Sequence, residues 1–313
     1  MNSDLLGMRA STLANPSSTL NVMISCFFVG IFFYTSLLQS ITAGFDRQGL
    51  FRDKRYNDKA IVVECRRCWK GMGVRIGTSG FSYPHWRGVF YPYGLHQSKL
   101  LQYYQECFDT VEINTTFYRL PRPDTFLNWG KSVRPDFMFA LKASRLITHL
   151  KRLKNVEAEL SRFLESAMIL GDRLGPVLYQ LPPSLTLDIG RLSAFLSLLP
   201  GNMRHAVEFR HPSWFVCDVR NLLVRQGVSF CISDGPDGHQ SPDWVSSQNV
   251  YMRFHGPEWQ YGGQYPSEQL VEWAKKIERY VKEGLSVVAF FNNDAQGYAV
   301  NDAKQLKSLL SLV

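Results

Sequence analysis

No G-x-G-x-x-G stands between a strand-like run and a helix-like one in the 313 residues, so the usual mark of an open, dinucleotide-binding sheet is missing. Cysteine is sparse: Cys26, Cys65, Cys68, Cys107, Cys217 and Cys231 are all six. Their spacing shows no secreted disulfide framework, and a chain of this length needs none for stability. Cys65 and Cys68 form a lone C-x-x-C, whose intervening Arg66 and Arg67 would lower a thiol pKa. No second C-x-x-C or His pair completes a zinc site. Cys107 and Cys231 lie in apolar surroundings and read as small core residues. Charge is modest, 35 Lys+Arg against 27 Asp+Glu for a net +8. Nine basic and five acidic residues fall in 1–71, which leaves 26 and 22 beyond. The larger part is only mildly basic, and the global balance is a weak argument for nucleic-acid binding.

Charge is wholly absent between Arg9 and Asp46. Inside that gap Leu20–Ile41 is apolar and long enough for a spanning helix, which needs about 20 residues. Arg9 stands nearly alone before it, whereas Arg47, Arg52, Lys54, Arg55 and Lys59 follow in a basic linker, 46–71. The positive-inside rule then keeps everything C-terminal in the cytoplasm. A cleaved targeting peptide is a second reading, although no A-x-A site follows. A start-site artefact is a third, because Met72 immediately precedes the first strand-like run. The expected division is an N-terminal extension, 1–71, and one domain, 72–313.

From Val74 onward, apolar β-branched runs alternate with amphipathic stretches. The expected strands are Val74–Thr78, Thr110–Phe117, Phe137–Lys142, Val177–Leu181, His205–Arg210, Ser229–Ser233, Val250–His255 and Ser286–Asn292. Helical patterns separate most pairs, most clearly Ser98–Cys107, Asn155–Leu174 and Ser267–Glu283. In the last, Leu270, Ala274, Ile277 and Val281 form one stripe, Ser267 is the expected N-cap and Gly284 the C′ residue. Such alternation implies a parallel sheet. Eight units in this length match a closed (β/α)₈ TIM barrel, here preceded by an extension with one candidate transmembrane helix.

Nearly every expected strand ends in polar residues. They are Glu112 and Asn114; Lys142, with Arg145 and His149 beyond; Gln180; Glu208, Arg210 and His211; Asp234; Arg253 and His255; then Asn292, Asn293 and Asp294. Side chains two apart share a face. One face of a barrel strand meets helices, where charge is costly, so these residues are expected to point inward at the top. A space-filling ion network is the bland reading. Buried ion pairs seldom add net stability, and active sites of this architecture cluster at this end, so the position favours a site. Glu112, Glu208, Asp234 and His255 are suitable metal ligands, but the interleaved cations oppose a metal. Lys142, Arg210 and Arg253, with Asn114, Asn292 and Gln180, suit an anion. Glu208 leads the acid/base candidates, on the expectation that Glu112 and Asp234 raise its pKa against the pull of the arginines; His255, Glu112 and Asp234 follow. Phe81, Tyr83, Trp86, Phe90 and Tyr91 crowd the first loop. Trp214 and Phe215 follow the fifth strand and Trp259, Tyr261 and Tyr265 the seventh. They offer packing, or stacking on sugars or bases.

The stretches GTSGFSYPHWRGVFYP (77–92), VEINTTFYRLP (111–121), ALKASRLITH (140–149), GPVLYQLPP (175–183), AVEFRHPSW (206–214), MRFHG (252–256) and FFNNDAQGYA (290–299) resemble the YecE-like family, domain of unknown function 72. The resemblance spans 72–313 in order and implies a barrel like those of xylose isomerase and endonuclease IV. Phe81 departs from the family's usual Trp, and residues 1–71 are outside the pattern. The leading expectation is an enzyme acting on a phosphorylated or other anionic substrate, a sugar phosphate or nucleic acid. The nucleic-acid version rests on the likeness to endonuclease-type barrels. The alternatives are a non-catalytic module binding an anionic ligand or nucleic acid, and a membrane-tethered scaffold held through residues 20–41. The sequence names no cofactor.

Overall fold

The computed structural model describes residues 73–236, 240–259 and 261–311. The apolar segment 20–41, the basic linker and Cys26, Cys65 and Cys68 lie outside them. Among the described residues no helix is long and apolar enough to cross a membrane.

Eight strands form: β1 Val74–Thr78, β2 Thr110–Ile113, β3 Met138–Lys142, β4 Leu174–Gln180, β5 His205–Glu208, β6 Ser229–Asp234, β7 Asn249–Phe254 and β8 Ser286–Phe291. All seven ladders are parallel, in the order β1-β8-β7-β6-β5-β4-β3-β2. The helices are α1 Leu100–Tyr104, α2 Thr115–Tyr118, α3 Pro123–Lys131, α4 Glu157–Met168, α5 Ile189–Leu196, α6 Cys217–Gln226, α7 Ser267–Lys282 and α8 Tyr298–Ser311. The alternation lapses once: between β6 and β7 the described residues carry no helix.

The two ends of the sheet meet at β1 and β2. One bridge, Ser79 to Glu112, continues the pairing, and Gly80 N–H donates to Glu112 O at 2.7 Å. Below it the strands press together. A Cβ on Gly77 would stand 2.2 Å from Thr110 O, so only glycine fits. The buried Tyr104 hydroxyl completes the seam. It accepts from Thr78 N–H at 2.9 Å and donates to Thr110 O at 3.1 Å, standing in for a missing rung. Tyr104→Phe leaves a buried donor and acceptor unmatched, at about 1–3 kcal/mol for each such group. The expected result is a loss of about 2 kcal/mol, measured as a lower urea midpoint at unchanged m-value. An unchanged midpoint would show that the seam closes without the phenol.

Alternation sorts the strands as parallel barrels require. Val111, Phe139, Val177, Tyr179, Val207, Phe230, Met252 and Phe291 pack into the outer core against the helices. Met138, Ala140, Leu178, Ala206, Cys231, Tyr251, Val288 and Phe290 form a separate cluster, the plug of the barrel interior. Cys231 is buried there as expected, while Cys107 is only partly covered.

Three local expectations are corrected. The strand expected over 110–117 stops at Ile113, because Asn114 takes helical dihedrals and opens α2. The N-terminus of α7 has Pro266 rather than Ser267 at its cap, and no side chain caps it; Ser267 Oγ instead accepts from Gln305 of α8. The buried stripe of α7 ends on Tyr280, not Val281, which is 40% exposed. Gly284 does turn left-handed after the helix, with φ +82°.

Candidate functional site

Alternation continues past the hydrophobic plug and delivers polar residues to the C-terminal ends of the strands. Glu112 of β2, Lys142 of β3, Gln180 of β4, Glu208 of β5, Arg253 of β7 and the following Arg210, His255 and Asn292 all turn inward. They do not form one lining. They separate into a sealed lower tier and an open upper one.

Arg253 is at the centre of the lower tier. Its Nε and one terminal nitrogen donate to Glu112 at 3.0 and 2.8 Å, a bidentate pair, and the other terminal nitrogen donates to Glu208 at 2.7 Å. Glu112 also accepts from the Tyr251 hydroxyl at 2.6 Å and from Ser79 Oγ. Glu208 accepts from Gln180 Nε2 at 2.9 Å and from Arg210 Nε, and His255 Nε2 stands 3.2 Å away. Every oxygen of both carboxylates is taken. Glu112, Glu208, Arg253 and His255 have no exposed surface.

These bonds fix the electrostatics. Burial pushes the Glu208 carboxyl up, but Arg210 and Arg253 outweigh it and hold the group well below its ordinary value. It is a permanent carboxylate, not the poised acid that like-charged neighbours were expected to make. Burial, reinforced by the same two arginines, pushes His255 well below its usual value and keeps it neutral. Asn292 Nδ2 lies 3.1 Å from His255 Nδ1 and holds the ring from above. Arg253, expected as an anion clamp, has its guanidinium engaged by the two glutamates.

Asp234 is a correction. Ser229, Cys231 and Ser233 are the inward residues of β6, so Asp234 shares the outward face with Ile232. Its carboxyl meets Tyr265 and Trp273 of α7, and burial raises its pKa. Among the described residues no three of His, Cys, Asp and Glu converge as metal ligands.

Above this floor is a cavity of about 410 Å³, lined in part by Phe81, Tyr83, Asn114, Lys142, Asn292 and Asp294. The volume is that of a small-molecule site, which runs from about 300 to 1,000 Å³. Local structure sets each wall. Trp86 Nε1 donates to Asp294 O at 3.0 Å and ties the first loop to the end of β8. The turn at Asn114 that ends β2 presents its side chain, whose Oδ1 has no hydrogen-bond partner among the described residues. Thr116, one turn on, donates to Lys142 O at 2.7 Å and fixes the end of β3. Tyr118, 71% exposed, and Tyr261, 38% exposed, stand at the mouth. Tyr261 has φ +66°, a left-handed conformation costly for a side chain of its size.

Lys142 is the basic residue that both tiers share. It lines the cavity with 9% of its surface exposed. No hydrogen bond or ion pair to its Nζ is formed among the described residues, and Nζ lies over the Phe117 ring, 4.3 Å from its centroid. The glutamates that would pair with it are held by Arg253 and Arg210. Burial lowers its pKa to about 7, with Arg253 the next cause.

Of the sequence-expected residues, Asn114, Lys142, Asn292 and Asp294 therefore reach the cavity. Glu112, Glu208, Arg253 and His255 lie in the buried network with Gln180 and Arg210, which bond to Glu208, and Asp234 lies outside it. Arg145 is exposed, and His211 is occupied in capping Ser213 N–H. Reasoning from strand ends missed Ser79 and Tyr251, inward neighbours of Glu112; Tyr251, two residues before Arg253, was legible by alternation. It also missed Tyr118 and Thr115, which came with the unexpected helical turn. The loop aromatics divide: Trp86, Tyr91, Trp214 and Tyr265 are core, whereas Phe81, Tyr83 and Tyr261 line the cavity.

Residues 75–313 match the family model described as "Protein of unknown function DUF72". The YecE protein of Escherichia coli K12 is 33% identical over 156 residues, 50% of this chain and 55% of that protein, so the chain spans about half the length of these relatives. The YunF protein of Bacillus subtilis is 25% identical, over 76% of this chain and 95% of its own. The crystal structure of a DUF72 protein from Thermotoga maritima is similar, with a TM-score of 0.69 and 30% identity over 76% of this chain and 99% of that one. A DUF72 structure from Enterococcus faecalis, at 21% identity and a TM-score of 0.65, covers 78% and 99% and shows the same fold. The strand-end motifs, the eight-stranded barrel and these likenesses agree: the chain belongs to the DUF72 family.

Proposed function

We propose that the protein is a barrel enzyme that takes a small phosphorylated or otherwise anionic substrate into the cavity above the ion network. One observation carries the reading. The cavity wall holds a lysine that has no counter-ion among the described residues, although two glutamates lie just beneath it. The two arginines neutralise those glutamates, so Lys142 is the group whose charge an entering anion would complete. Asn114 and Asn292 supply neutral polar contacts, and the cavity lies at the end of the barrel where this architecture carries its chemistry. The volume suits a small molecule better than a duplex.

Melting the full chain with inorganic phosphate, sugar phosphates, nucleoside monophosphates and dicarboxylates, each in turn, tests the reading. A ligand at about 100 times its Kd stabilises by about 2.7 kcal/mol, or roughly 5–10 °C for a domain of this size. The shift is expected for at least one phosphorylated compound and is expected to vanish in Lys142→Met. Compounds that shift the melt are then assayed for turnover. Binding without turnover would identify a binding module instead, and no shift with any anion would sink the anionic reading.

A further inference from the structure

We propose that Lys142 is a nucleophile that forms an iminium with the carbonyl group of an aldehyde or ketone substrate. This rests on the reading of the cavity as a substrate site and specifies its chemistry. Lysines that serve structure end in a carboxylate, a carbonyl or water. Lys142, in the cavity wall, instead carries its Nζ over the Phe117 ring, with no hydrogen bond or ion pair to it among the described residues. Desolvation together with neighbouring cations is the setting that activates an amine for Schiff-base chemistry. The charged groups that act on it are Arg253 of β7, Glu208 of β5, Glu112 of β2 and Arg210 just beyond β5, with His149 beyond β3. The glutamates are engaged by the two arginines, and His149 is itself lowered to about 4, by its own burial first and then by Lys142. With its pKa lowered to about 7, about half of the amine carries a free lone pair at pH 7 and the rest is the cation that an entering anion would meet.

The step balances without a further reactant. The Nζ lone pair attacks the carbonyl carbon and forms a C–N bond. The carbonyl oxygen gains one proton from the amine and one from solvent and leaves as water. The product is an iminium with one N–H and one positive charge. The Phe117 ring under Nζ suits that charge, since an aromatic face attracts a cation. Asn114 Oδ1, buried and without a partner among the described residues, accepts a hydrogen bond from the hydroxyl of the carbinolamine that precedes loss of water. A general base at this position would need the free amine but form no C–N bond, and trapping separates the two.

The experiment is reductive trapping on the full chain, read by peptide mass spectrometry. Formaldehyde with cyanoborohydride at pH 7 is the neutral probe; glyoxylate and glyceraldehyde 3-phosphate with the same reductant are the anionic ones. A surface lysine with an ordinary pKa near 10.4 is less than about one part in a thousand unprotonated at pH 7. Lys142 is expected to take up formaldehyde at least about tenfold faster than the median lysine, with a rate that rises through a midpoint near 7. It is expected to react faster still with an anionic carbonyl, and Lys142→Met is expected to lose the preferred adduct. Surface lysines labelled while Lys142 stays untouched by all three probes would overturn the proposal. Labelling by formaldehyde without any gain from the anionic probes would leave the nucleophile standing and remove the anionic substrate. A phosphate-dependent melting shift with no adduct at Lys142 would do the reverse.

Discussion

Replacing Arg253 by Met is expected to lower the melting temperature by on the order of 10 °C and to make stability fall as pH rises from 5 to 7.5. The side chain is buried with Glu112 and Glu208, and its four bonds to the glutamates and Ser79 run from 2.7 to 3.1 Å. Removing one partner from a buried ionic network leaves uncompensated charge, at about 3–5 kcal/mol. At roughly 2–4 °C per kcal/mol in a domain of this size, that is the expected shift. In the native protein the Glu208 pKa is held below its unfolded value. Its contribution is therefore complete above the unfolded value near 4.3 and is lost as pH falls through the lower native one. Without the guanidinium Glu112 loses its bidentate partner, while Glu208 keeps Arg210; a buried carboxylate left without a cation favours its protonated form, so the folded variant binds more protons than the unfolded chain between about pH 4.3 and neutrality. The variant is then expected to be more stable at pH 5 than at pH 7.5, a window in which native Glu208, ionised in both the folded and the unfolded chain, adds no pH dependence. Melts at both values, with the exposed pair Lys275–Glu272 removed as a control, check this. A loss below about 1 kcal/mol, which is the range of surface pairs, would show that the network is not a unit.

The barrel was legible because its strands are buried on both faces and its helices on one, so the periodicity changes at each boundary. Most strand ends fell within one or two residues of expectation. The exception, at Asn114, has a local cause that no hydrophobic pattern carries: one polar residue adopts helical dihedrals, and Thr116 then bonds both its own strand and the next. Inward orientation was legible wherever a strand held two polar residues at i and i+2, as with Arg253 and His255. Asp234 had no such companion. The alternation in SFCISD, with Phe230 and Ile232 outward, would have placed it on the helical side. What no pattern reveals is which charges are already matched. Six residues from four strands share two glutamates, and only closure of the barrel decides that Arg253 takes both. The division into a sealed tier and an open one, and with it the isolation of Lys142, exists only in three dimensions.

That isolation has a cost that can be measured. Lys142→Met is expected to raise stability at pH 7 by about 2–4 kcal/mol, with the gain disappearing by about pH 10.5. The native amine has its pKa lowered to about 7 by burial, against about 10.4 in the unfolded chain. Between those values the unfolded chain binds one more proton than the folded one, so native stability rises with pH across the window. Below pH 7 the full penalty of carrying the lysine remains, at about 1.4 kcal/mol for each unit of displacement. Methionine has similar length, no charge to desolvate, and a thioether that packs favourably against a ring such as Phe117, so the variant avoids the penalty at every pH. Urea unfolding of both chains at pH 7 and pH 10 reads the difference directly. A gain that does not change with pH would mean that the native amine is charged and stabilised in the fold, and Lys142 would then be neither desolvated nor poised for an entering anion. A gain that closes on schedule, in a variant that has also lost the anion-dependent melting shift, would mark Lys142 as a residue that weakens the fold and is placed for chemistry. Stability gained at the cost of function is the usual pattern when an active-site residue is replaced by one that merely packs.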